Sequence, residues 1–279
     1  MKKEIYFYWG NETMSFMRYM TLYSFRKLNP DWTITLLVNK QTQDRRLRGT
    51  IEKQDKTEYK GKDYSYLLSK LGIDITTFRN SMIDLDENIV RDMSDVHIKD
   101  ILNWKLLAGP GGIVSDMDIL FLKPIGNLID ASTDIGLVCF AGHPKKDYIP
   151  VSFMYSGGDN VFFLRVYENA LKEYKPNVYE SCGTLCIKEK NLEEVKENFS
   201  NLNIQRLLDP IVFPFIDYEW GKGVEMLYGG DFRNAMRKDS IGLHWYGGAP
   251  LSQYFNNIIN ESTINRINNT ITICMREIF

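Results

Sequence analysis

Asp116 and Asp118 stand one residue apart in GGIVSDMDILFLKP, residues 111–124, a run that is otherwise mostly apolar. The apolar residues on either side read as a strand. In a strand, residues i and i+2 face the same way, so both carboxylates point together and Met117 faces away. Charge at the centre of a strand is costly unless something compensates it. Two carboxylates this close also repel, so either one stays protonated or a cation sits between or beside them. A hard divalent ion, Mn2+ or Mg2+, suits carboxylate oxygens, and it usually keeps waters and takes oxygens from a substrate phosphate. The plainer alternative is a strand that ends here, with both aspartates in a solvated turn.

The element before this run can supply a third acid. SDVHIKDILNWKLLAGPGG, residues 94–112, reads as a helix that Ser94 or Asp95 caps. Gly109, Pro110, Gly111 and Gly112 stop it. Asp100 and Asn103 lie three apart and share a face. A helix and strand joined by a tight GPGG turn pack antiparallel, which carries Asp100 toward the aspartate pair. Acidic groups gathered at one strand end suit a cation, a sugar or both.

The rest of the chain must position these groups. EIYFYWG opens as a strand, a helical pattern follows over residues 14–30, and WTITLLV is a second strand. That order makes a βαβ unit and a parallel sheet. Residues 39–62 are charged and read as an exposed excursion. Short helical patterns follow around YSYLLSKL and ITTFRNSMI. Downstream, IGLVCFAG reads as a strand, NVFFLRVYENALKEYKP as an amphipathic helix, IGLHWYGG as a late strand, and the tail from Pro250 as helical. No repeat or linker interrupts the 279 residues. The expectation is one α/β domain over 1–279, with a helical excursion around 39–95 and a helical tail from about residue 250.

Composition narrows the classes. A net charge of −2 gives no basic surface to mark a nucleic-acid partner. No apolar run approaches the roughly 20 residues that span a bilayer, and MKKEIYFYWG is not a signal peptide. Of the four cysteines only Cys182 and Cys186 are close, with no second pair for a zinc site. Free thiols in a reducing compartment follow, and a cytoplasmic protein, or one peripheral at a membrane, is the expectation.

The span from Asp100 to Pro124 resembles the DXD segment of retaining glycosyltransferases of family 32, the initiating mannosyltransferase group, and is similar to the catalytic domain of the large glucosylating toxins. Their shared pattern is an Asp, an Arg three residues on, a Gly-Gly turn, then Asp-x-Asp. Asp100, Gly111, Gly112, Asp116 and Asp118 match it, and Asn103 stands where the family has Arg. IYFYWG resembles the family's first strand, which ends in a base-stacking tryptophan. HWYGG resembles its His-Trp segment, and ESCGTL is weakly similar to a stretch near the acceptor side.

The resemblance implies a GT-A fold, a Rossmann-like central mixed sheet flanked by helices, and a metal-dependent hexosyltransferase using a UDP- or GDP-sugar. Trp9 would carry the base, with stacking worth about 1–3 kcal/mol, and Tyr8, Asn103, Gly112 and Trp245 would join it in donor binding. Asp118 would hold the metal, with Asp116 and His244 beside it, and Asp116 would also hold the ribose or sugar. Asp100 would accept hydrogen bonds from donor-sugar hydroxyls, and Glu180 and Gly183 would lie toward the acceptor. A glycan or glycolipid acceptor follows, as in polysaccharide biosynthesis. Two rival readings remain. One is a carbohydrate-binding or scaffold protein without activity. The other is a phosphohydrolase of the haloacid dehalogenase type, whose late Gly-Asp loop GGDFRNA faintly resembles.

Overall fold

The computed structural model describes residues 2–10, 13–39, 59–77, 85, 90, 93–126, 128–139, 149–208, 211–215 and 220–279. Strand β1, Glu4–Trp9, helix α1, Phe16–Leu28, and strand β2, Thr33–Val38, form the expected βαβ unit, with β1 and β2 parallel from Glu4↔Thr33 to Trp9↔Val38. The hydroxyl of Ser15 accepts the Arg18 N–H to start α1. At the other end the Asn29 backbone N–H returns to the Phe25 carbonyl, with Pro30 just beyond. Thr33–Val38 is β-branched and alternates, and it takes β3, Asp74–Thr77, as a further parallel neighbour.

That pairing corrects one expectation. The start of ITTFRNSMI is strand rather than helix, because Ile75–Thr77 is a short β-branched run beside an open sheet edge. Residues 78–83, and 40–58 of the charged excursion, lie outside the described residues. YSYLLSKL is helical as a short 3-10 segment, Ser65–Leu71, ended by Gly72 in the left-handed conformation.

Helix α2, Asp95–Ala108, starts on Ser94, whose hydroxyl accepts the His97 N–H. Strand β4, Gly112–Ser115, follows at once, parallel to β1. The joint needs glycine. Gly111 has φ +70, and a Cβ there would lie 2.4 Å from the Gly158 backbone nitrogen. Gly111→Ala therefore combines a left-handed backbone with a clash that no side-chain motion relieves. It is expected to destabilise the fold by at least about 1–3 kcal/mol, read as a lowered midpoint in urea unfolding.

The main sheet has seven strands in the order β3-β2-β1-β4-β7-β6-β8, where β6 is Ile135–Cys139, β7 is Phe153–Ser156 and β8 is Ile204–Leu208. Strand β7 runs antiparallel to both β4 and β6, so the sheet is mixed, as expected. On one face Ile5 and Phe7 pack with α1 and with the C-terminal helices. On the other, Tyr6 and Tyr8 pack with α2 and with α3, Val161–Glu173. Neighbours on β1 thus serve opposite cores, as strand alternation requires.

The apolar run around the aspartates is two strands, not one. Strand β4 ends at Ser115, and β5, Ile119–Phe121, belongs to a separate two-stranded sheet with β9, Gly242–His244. The chain changes sheet across Asp116–Asp118. The Asp116 N–H still reaches the Ser152 carbonyl at 2.8 Å, and the Met117 carbonyl takes the Thr21 hydroxyl at 3.0 Å. The charged pair thus sits in a turn at a strand end, where carboxylates are not forced between paired strands.

Helices α4, Leu192–Asn198, and α5, Trp220–Tyr228, lie between β7 and β9 in the chain. The tail is helical over α6, Pro250–Ile258, and α7, Thr270–Ile278. Between them the Asn260 side chain accepts the Ser262 and Thr263 N–H groups and makes turns instead. Among the described residues no helix is long and apolar enough to cross a membrane.

Candidate active site at the carboxyl end of strand β4

Asp116, Asp118 and His244 converge so that one ligand atom from each lies within 4.8 Å of the others. The antiparallel β5–β9 pairing puts His244 opposite Ile119. The Trp245 N–H then reaches the Asp118 carbonyl at 2.8 Å. His244 Nε2 lies 3.4 Å from Asp118 Oδ1 and 3.8 Å from Asp116 Oδ2. The other ring nitrogen, Nδ1, accepts the Tyr246 N–H at 3.3 Å, which fixes the ring with Nε2 toward the carboxylates. Asp118 and His244 are each only 9% exposed. Two carboxylates and an imidazole this close fit a divalent ion such as Mn2+ or Mg2+.

The same turn is balanced by basic side chains that arrive from two helices. Lys99 on α2 contacts Asp116 Oδ1 and lies 3.6 Å from Asp100 Oδ1. Arg18 on α1 lies 3.9 Å from Asp118 Oδ2, which also accepts the Gly247 N–H at 2.7 Å. Burial pushes the Asp118 carboxyl up. His244, Arg18, the Gly247 N–H and Lys99 outweigh burial and hold the group below its ordinary range, so Asp118 stays ionised. Burial likewise pulls the Lys99 ammonium down, and Asp116 and Asp100 outweigh it, holding Lys99 above its usual value. Compensation here is by fixed cations and not by protonating Asp118.

The other candidates from the sequence fall into distinct places. Trp9 ends β1 half-buried, its ring 5.5 Å from the Arg18 guanidinium carbon. Trp245 is wholly buried with its ring 4.6 Å from the same carbon. Tyr8 faces the opposite side of the sheet, and its hydroxyl donates to Asp95 Oδ1 at 2.6 Å, at the start of α2. Asp100 is buried beside Lys99, and a Cβ on Gly183 would sit 2.8 Å from its Oδ2. The weakly matching ESCGTL stretch therefore does reach the acidic cluster. Its position is held by Trp104, whose Nε1 donates to the Cys182 carbonyl at 2.6 Å.

Asn103 is buried one turn beyond Lys99, its Nδ2 without a hydrogen-bond acceptor among the described residues. Gly112 begins β4, at the far end of that strand from Asp116, where a Cβ would meet the Glu4 carbonyl at 2.9 Å. Its place is in the backbone joint rather than beside the carboxylates. Asp231 of GGDFRNA, which the phosphohydrolase reading would need at the site, pairs with Arg233 on the surface.

Sequence reasoning missed Arg18, Lys99 and Gly247. Lys99 adjoins Asp100, and Arg18 is the first basic residue of the helix after β1. Two close carboxylates demanded a search for basic partners, and those two were the nearest places to look.

No family model matches the chain, and no curated protein matches it in sequence. Among solved structures, the PaToxG glycosyltransferase aligns at 18% identity over 72% of this chain and 72% of its own, with a TM-score of 0.54. The apo form of the glycosyltransferase GlyE in Streptococcus pneumoniae TIGR4 aligns at 12% identity over 99% of this chain and 63% of its own, at 0.49. The galactosyltransferase LgtC in complex with donor and acceptor sugar analogs aligns at 10% identity over 94% and 99%, at 0.45. The PaToxG likeness, with the mixed seven-stranded sheet between helices, gives the chain an α/β fold of the GT-A type.

Proposed function

We propose that this chain is a metal-dependent hexosyltransferase that moves a sugar from a nucleotide-diphosphate donor, UDP- or GDP-linked, to a hydroxyl of a glycan or glycolipid. The observation that carries the reading is the Asp116, Asp118 and His244 cluster at the carboxyl end of β4. In open α/β sheets that end of the strands is where ligands bind. The GT-A fold and the resemblance of residues 100–124 to family 32 support it, and the whole chain is taken as one catalytic domain.

Each residue then has a task. Trp9 receives the base at the end of β1. Asp118 and His244 ligate the cation and Asp116 assists, held in place by Lys99. Asp100, its carboxylate close to Lys99 and to the Gly183 backbone, accepts hydrogen bonds from donor-sugar hydroxyls. A bound divalent ion supplies Lewis-acid stabilisation of the charge that grows on the leaving diphosphate. Retention of anomeric configuration is the stereochemistry this reading assigns, from the family resemblance, and the protein is expected in the cytoplasm or at a membrane surface.

Screening UDP- and GDP-sugars with Mn2+ tests the proposal. The expected result is metal-dependent transfer or hydrolysis of at least one donor by the wild type, lost in Asp118→Ala. Absence of binding and turnover with every donor overturns it. Phosphate release from a simple phosphomonoester would favour the hydrolase instead.

A further inference from the structure

Arg18 has the surroundings of a ligand-binding guanidinium rather than of a structural ion pair. Its side chain is one-fifth exposed, with 20% of its surface reaching solvent. Two indoles flank it, Trp9 at 5.5 Å and Trp245 at 4.6 Å, which restrains the planar group by cation–π contact. Its nearest carboxylate oxygen, on Asp118, is 3.9 Å away, beyond hydrogen-bond reach. Arginine carries five N–H donors, and among the described residues none of the five has an acceptor.

The space around the group is specific. A Cβ on Gly247 would lie 2.3 Å from Arg18 Nη2 and 3.1 Å from Asp118 Oδ2, so glycine at this position leaves the guanidinium its place beside the carboxylate. Arg18 is near both the Trp9 ring and the Asp118 carboxylate. A nucleoside diphosphate carries its phosphates between a flat base and the oxygens that meet a cation. A guanidinium fork matches two phosphate oxygens at once.

We infer that Arg18 is a binding residue for the diphosphate of the donor and of the nucleoside diphosphate product, on the base side of the cation site. This rests on the donor reading above. Trp9 and Trp245 hold the guanidinium ready, and its loose approach to Asp118 leaves the donors available. Arg18 neutralises phosphate charge that the cation alone would leave, and so helps retain the leaving group.

Calorimetric titration of wild type, Arg18→Gln and Arg18→Lys with UDP, GDP, UMP and GMP in the presence of Mn2+ tests the inference. Mn2+ binding without nucleotide is followed in parallel by electron paramagnetic resonance. Arg18→Gln is expected to weaken the preferred diphosphate about 10- to 100-fold, and the matching monophosphate less. Its Mn2+ affinity without nucleotide does not fall, because removing a positive charge 3.9 Å from Asp118 lessens repulsion of the cation. Arg18→Lys keeps the charge and the stem packing and recovers part of the loss. Equal diphosphate affinity in wild type and both variants overturns the assignment of Arg18 while leaving the donor reading intact. So does a uniform loss across diphosphate, monophosphate and Mn2+, which marks a structural role. If the wild type binds neither diphosphate, the donor reading fails first and the role of Arg18 fails with it.

Discussion

Asp118→Asn is expected to lower metal-dependent turnover of the donor by at least about 1,000-fold, while the protein remains folded. The amide keeps the shape of the side chain and an oxygen to accept the Gly247 N–H, now at 2.7 Å. What is lost is the charge. With Asp118 neutral, Lys99 and Arg18 balance the remaining carboxylates, Asp116 and Asp100, and the turn keeps no net negative charge from these groups. A divalent cation then loses both a ligand and the charge that drew it. A thousandfold is about 4 kcal/mol, in the range of the several kcal/mol that metal Lewis-acid stabilisation supplies. The check is donor hydrolysis or transfer across a range of Mn2+ concentrations, with circular dichroism to confirm the fold. Turnover within tenfold of the wild type would remove Asp118 from the chemistry.

The second large effect is on stability. Trp104→Ala is expected to cost about 3–5 kcal/mol in urea unfolding, as for a fully buried aromatic truncated in a core. The indole has no exposed surface and lies against Phe163, with ring centroids 6.1 Å apart. Its Nε1 is also the donor to the Cys182 carbonyl, so truncation leaves that carbonyl without it. Trp104→Phe separates the two contributions, since it keeps most of the ring and loses only the hydrogen bond, a cost of about 1–3 kcal/mol. Gly183 follows Cys182 and its backbone lies against Asp100. Loosening this loop is therefore expected to raise KM for the donor sugar in Trp104→Phe, with Mn2+ affinity unchanged.

The legible part of the molecule was the part carried by local pattern. Ser15, Asn29 and Pro30 bound the first helix where capping chemistry says they should. Ser94 and the GPGG stop did the same for α2. Asp116 and Asp118 were recognisable from residue type and spacing, and His244 only through the resemblance of HWYGG to a His-Trp segment. The division of the aspartate run into β4 and β5 was not legible, because an apolar run of this length reads as one strand. The break depends on β9, which arrives from late in the chain to pair with β5. Strand β3 was hidden similarly, since Ile75–Thr77 becomes strand only beside β2.

The basic partners were the largest omission. Arg18 and Lys99 sit on helices either side of the sheet, and only the tertiary arrangement brings both to one turn. Their presence answers the electrostatic problem that the aspartate pair posed. It also bears on Asn103, which stands where the family that residues 100–124 resemble has arginine. Lys99, one turn earlier on the same helix, places a positive charge against Asp100 and Asp116.

The central claim is that Asp116, Asp118 and His244 hold a divalent cation that receives a nucleotide sugar's diphosphate. The most direct measurement is a Mn2+ titration by electron paramagnetic resonance, with and without UDP or GDP, on wild type and Asp118→Asn. The account predicts one Mn2+ per wild-type chain, bound more tightly when the preferred diphosphate is present, and no such binding in the variant. Equal Mn2+ affinity in the two proteins, unmoved by either diphosphate, would contradict it.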